Sequence, residues 1–221
     1  MIRKRLSENK FGNDELVFPD LSNIDVSHIT DMSGLFSHVL FGYQKPVKLD
    51  LSGWDTSNVK NMSFMFNDCK CLKSLNLSGF DTSNVTNMIC MFYGCESLKE
   101  LDLSSFNTSN VIFMGSLFYG CTLLYKIDLS GWNTSNVTNM QRMFNNCVNI
   151  VELDVSHFDT SKVINMSEMF YCCESLKTLD LSKWKTPNVC HMTEMFNYCD
   201  QLSVKTTDSK IKKQFLKDTN E

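Results

Sequence analysis

A 26-residue period governs this chain. Leu49, Leu75, Leu101, Ile127, Leu153 and Leu179 each open the same phrase, L-D-L-S-x followed by Trp or Phe, and the register does not slip between them. The period carries an aromatic at Trp54, Phe80, Phe106, Trp132, Phe158 and Trp184, then Val at 59, 85, 111, 137, 163 and 189. Met62, Phe66 and Cys69 begin three further series with the same step, ending at Met192, Phe196 and Cys199. A degenerate copy lies upstream, where Asp25, Val26, Ser27, Ile29, Met32 and Phe36 match Asp55, Thr56, Ser57, Val59, Met62 and Phe66, with four extra residues before Leu49. The composition agrees with copying from one small template, because 10 Cys, 13 Met and 16 Phe accompany no Ala at all. Three segments follow: a cap with the degenerate copy and an insertion over 1–48, six repeats over 49–204, and a cap or tail over 205–221.

Two local periodicities occur within a unit. Leu49, Asp50 and Leu51 alternate with period two, the pattern of a half-buried strand. Val59, Met62, Met65, Phe66 and Cys69 form one stripe of a short helix. Thr186-Pro187-Asn188 marks the start of that helix, since Pro is tolerated at a first helical position and Thr at the cap before it. Neither element can bury its apolar face alone, so the expected fold is α/β, a solenoid of about seven coils with one short parallel strand and one short helix per coil. Ile211, Phe215 and Leu216 would share one face of a closing helix.

Charge and Cys usage narrow the function. The net charge of -4 is unevenly placed: residues 1–10 and 205–221 are basic, and 11–204 carry 21 acidic against 12 basic side chains. An acidic body argues against a nucleic-acid partner, which would require a basic stripe. No apolar run is long enough to span a membrane. The basic N-terminus lacks the apolar stretch of a secretion signal, which favours a cytosolic start and free thiols over disulfides. The Cys series at 69, 95, 121, 147, 173 and 199 reads as small buried apolar side chains, with Cys71, Cys90, Cys172 and Cys190 outside it. No C-x-x-C pair occurs, His28, His38, His157 and His191 fall at unrelated phases, and no acid–base pair recurs. No metal, cofactor or catalytic group is expected.

The candidate binding residues lie on the exposed strand position: Asp50, Asn76, Asp102, Asp128, Asp154 and Asp180. Like charges one strand spacing apart are unfavourable, so carboxylates kept there suggest an acidic strip that meets a basic partner or a cation. The alternative is a Ser/Asp hydrogen-bond ladder, because Ser104, Ser130 and their equivalents lie two residues on. Tyr93, Tyr119 and Tyr171 share a flank position that would suit packing or a partner. The insertion at 37–48, with Phe41 and Tyr43, either finishes the cap or forms a binding loop.

Leu98-x-x-Leu101-x-Leu103 reproduces the opening of a leucine-rich repeat, and the whole unit resembles the BspA-like leucine-rich repeats of bacterial surface proteins over about residues 20–204. That resemblance implies a non-enzymatic protein-binding solenoid at the bacterial surface or secreted, with extracellular-matrix or serum proteins of a host as partners. Two other roles stay open: a structural or assembly subunit that makes contact through its caps, and an intracellular effector or inhibitor of one protein. The sequence leaves localisation and oligomeric state open.

Overall fold

The computed structural model describes residues 21, 24–37 and 46–219. The strands are β1 (Val47–Asp50), β2 (Leu72–Asn76), β3 (Glu100–Leu101), β4 (Lys126–Ile127), β5 (Thr178–Asp180) and β6 (Ser203–Lys205). They are followed by one helix, α1 (Ser209–Asp218). Pairing is parallel and two by two, β1 with β2, β3 with β4 and β5 with β6, in three separate sheets. Asp50 faces Asn76 and Leu101 faces Ile127, one period away, whereas Asp180 faces Lys205 after a last step one residue shorter. A second line of single parallel bridges joins Asp31, Asn61, Asn87, Phe113, Asn139, Asn165 and His191.

This corrects the expected leucine-rich-repeat solenoid of seven coils with a strand and a helix in each. Among the described residues α1 is the only helix and it lies beyond the repeats, the sheets are small and separate, and most of each unit is turn. The hydrogen bonds give the reason. Met65, Asn67 and Cys69 donate their N–H groups three residues back, to Met62, Phe64 and Phe66, at 3.0–3.2 Å. The intervening Met62, Phe64, Phe66 and Asp68 donate instead to Asn87, Ile89, Met91 and Tyr93 of the next unit, at 2.7–3.0 Å. An α-helix would turn every one of those N–H groups back on its own segment and leave none for the neighbour. The alternation needs left-handed backbone at two phases, and Phe64 and Asp68 have φ of 58° and 55°. Gly94 and Gly120 occupy the second phase at 66° and 69°, where glycine carries no steric cost.

The Thr series also does different work from the expected N-cap. Thr56, Thr82, Thr108, Thr134 and Thr160 are buried, and each hydroxyl donates to a carbonyl of the following unit, Asp81, Asn107, Asn133, Asp159 and Lys185 in turn. The Cys series points the other way. Its thiols donate to the Phe carbonyls of the preceding unit, from Cys69 on Phe36 to Cys199 on Phe170, at 2.9–3.4 Å.

The core is built from side chains one period apart. Phe36, Phe66, Phe92, Phe118, Phe144, Phe170 and Phe196 form a continuous row of near-parallel rings 5.3–5.9 Å apart. Phe215 of α1 closes the row edge-on at 5.4 Å. Ile211 is fully buried beneath the helix, but Leu216 is 50% exposed and leaves the expected common face. Close approach shows at Gly79, where an added Cβ would lie 1.9 Å from the carbonyl oxygen of Ser52.

Candidate binding face

Each residue of the predicted strip is fixed by its own turn. The side-chain oxygen of Asp50 accepts the N–H of Ser52 at 2.9 Å, and Asn76, Asp102, Asp128, Asp154 and Asp180 do the same with the Ser two residues on, at 2.9–3.1 Å. Asp and Asn favour such turns because their short side chains reach the backbone just ahead. The Ser/Asp bonds therefore run within units. Asp50, Asn76, Asp102, Asp128 and Asp154 are exposed, as are Ser104 and Ser130, while Asp180 is half-exposed. Phe41 and Tyr43 lie outside the described residues.

Those hydrogen bonds hold the carboxylates ionised. Asp102 and Asp128 sit below the ordinary Asp range because the Ser104 and Ser130 N–H groups stabilise the anion, and for Asp154 the Ser156 hydroxyl contributes most. Asp128 pushes back on Asp102. At the far end Lys205 reaches across the β5–β6 pair to Asp180 at 2.8 Å, a contact that the sequence reading missed. One end of the row thus carries an ion pair, and Asp102, Asp128 and Asp154 form its middle, where Lys126 gives Asp128 and Lys183 gives Asp154 a smaller measure of relief.

The remaining candidates make contacts within the protein. Tyr93 and Tyr119 are half-buried and stack at 4.5 Å, and Tyr171 meets Tyr198 edge-on. The Nε2 of His157 lies 3.0 Å from the carbonyl of Leu129. No group of three metal-ligating side chains occurs among the described residues. No helix there is long and apolar enough to cross a membrane.

The six thiols of the Cys row are buried, which disfavours the thiolate and pushes Cys121 and Cys199 up to about 12. Cys190 is exposed. Treatment of the native protein with a disulfide exchange reagent at pH 8 is expected to modify Cys190 first and to leave Cys69, Cys95, Cys121, Cys147, Cys173 and Cys199 intact until denaturant is added. Mass mapping that found those six modified in the folded protein would contradict their burial.

Residues 5–126, 38–151 and 120–217 match the family described as Mycoplasma protein of unknown function, DUF285. The chain belongs to this family. Its membership replaces the BspA-like leucine-rich-repeat resemblance, and with it the leucine-rich-repeat, solenoid and bacterial-surface-family description. No curated protein matches the chain.

Proposed function

We propose that this DUF285 chain is a non-enzymatic module that binds a protein partner through the acidic face centred on Asp102, Asp128 and Asp154. The observation that carries this reading is the repeated placement of a turn-locked carboxylate on one exposed line. Holding anions side by side costs stability, and a basic partner surface would offset that cost as Lys205 does for Asp180.

The triple variant Asp102→Asn, Asp128→Asn, Asp154→Asn tests it. Asn keeps the turn, since Asn76 accepts from Ser78 at 3.1 Å in the same way. Capture of basic proteins from host and bacterial lysates at two salt concentrations is expected to fall about tenfold and to lose most of its salt dependence. Unchanged capture and unchanged salt dependence would remove the acidic face from the account.

A further inference from the structure

We infer that the step between residues 125–127 and 151–153 is a docking notch for a protein segment that carries a basic side chain beside an aliphatic or aromatic one. This rests on the acidic-face reading and adds an apolar requirement to it.

The notch arises where the repeat departs from its own template. The position held by Lys73, Lys99 and Lys177 elsewhere is Tyr125 and Val151 here, and both are exposed, at 46% and 37%. Ile127 is half-buried, whereas Leu75, Leu101, Leu153 and Leu179 at its phase are buried. Among the described residues strand pairing is absent at this step, as it also is between β2 and β3. Glu100 pairs with Lys126 and Leu101 with Ile127, and Glu152 pairs with Thr178, but among the described pairings none joins 126–127 to 152–153. The phenol of Tyr125 donates to the carboxylate of Glu100 in the preceding unit. What remains is a cleft of about 500 Å³ with Tyr125, Ile127 and Val151 as its apolar wall, lined also by Glu152 and Asp154 against the single cation Lys126.

Charge complementarity selects the occupant. Over residues 99–102, 125–128 and 151–154 there are five carboxylates and two ammonium groups. An apolar side chain in the cleft would bury the exposed wall while an adjacent Lys or Arg met the carboxylates that line it. An acidic segment would be repelled there.

Three capped pentapeptides serve as probes, Gly-Lys-Leu-Lys-Gly, Gly-Lys-Gly-Lys-Gly and Gly-Glu-Leu-Glu-Gly, each titrated into the 15N-labelled full chain. The Lys-Leu peptide is expected to shift the amides of residues 125–128 and 151–154, and to bind about tenfold more tightly than the Lys-Gly peptide. The exposed double variant Tyr125→Ser, Val151→Ser, which leaves the charge unchanged, is expected to lose that advantage while keeping the dispersed spectrum of a folded protein.

Equal binding of the two Lys peptides, or shifts spread evenly from Asp50 to Asp180, would overturn the notch and leave the acidic face standing. Binding of the Glu-Leu peptide, or no shift with any probe, would also overturn it. Notch shifts that persist unchanged in the triple Asn variant would remove the basic half of the inference together with the acidic-face reading.

Discussion

Replacing Phe118 by Ala is expected to destabilise the protein by about 3–5 kcal/mol, the range for deleting a fully buried aromatic side chain without collapse of the space it leaves. Phe118 has no exposed surface and stacks on Phe92 at 5.7 Å and Phe144 at 5.5 Å, with Trp132 at 6.1 Å. Its neighbours cannot close the gap, because Phe92 and Phe144 belong to units tied in register by backbone hydrogen bonds on either side. For a chain of this length the change corresponds to a fall in Tm of roughly 6–20 °C. Phe215→Ala is the comparison. That ring has one aromatic partner, Phe196, met edge-on, and is only half-buried, so its loss is expected to cost markedly less. Thermal melts followed by circular dichroism measure both, and equal losses at the middle and the end of the ring row would contradict support from two sides.

The second large effect is at the C-terminal end. In the preceding units a buried Thr hydroxyl donates to a carbonyl of the following unit, but Thr186 has no such unit after it. The carboxylate of Asp208 takes that role, accepting from the N–H and hydroxyl of Thr186 at 3.0 and 2.8 Å. It also caps α1 by accepting from the N–H groups of Lys210 and Ile211. Asp208→Ala removes a helix cap and leaves the buried Thr186 donors unpaired, for a combined loss of about 2–4 kcal/mol. Asp208→Asn, which keeps an acceptor oxygen, is expected to lose less. Urea unfolding of the two variants against the unchanged chain measures the difference.

Acid acts on the same contact. Burial opposes ionisation of Asp208, but the hydrogen bonds from Thr186, Ile211 and Lys210 outweigh it and set its pKa below the ordinary Asp value. A depressed folded-state pKa contributes stability that is present above the unfolded value, about 4, and is lost as pH falls below it toward the folded value. The denaturation midpoint should therefore drop on acidification below about pH 4, and less steeply in Asp208→Ala. A parallel decline in the variant would show that Asp208 does not contribute to the acid response.

Much of the candidate face was legible because repetition marks equivalent positions. Asp50 to Asp180 recur on one alternating phrase, and Ser recurs two residues later, so a shared exposed line followed from the period. The direction of the Ser/Asp bonds did not, since an Asp can reach the next unit or its own turn with equal ease on paper. Lys205 went unplaced because the final step is one residue shorter than the rest, which shifts its phase. Tyr125 and Val151 were visible only as departures from Lys73, Lys99 and Lys177 at a phase exposed in all of these units, and the cleft between them required the tertiary structure.

The helix assignment failed for a similar reason. Val59, Met62 and Met65 lie three apart, as do Cys69 and Leu72, a spacing that serves successive three-residue turns as well as a helical stripe. Asp68, Gly94, Gly120 and Asn146 at one phase were the available signal for left-handed backbone, because these are the residue types that tolerate it best.

By itself the amino-acid order determined which side chains are equivalent and which of them are apolar, and therefore that the Phe and Cys series would each serve the interior. Tertiary structure alone decided where each backbone N–H finds its acceptor. An isolated unit can satisfy those groups only within itself or with water, whereas a neighbouring unit offers carbonyls in register, and that competition turned an apparent helix into alternating turns and cross-links.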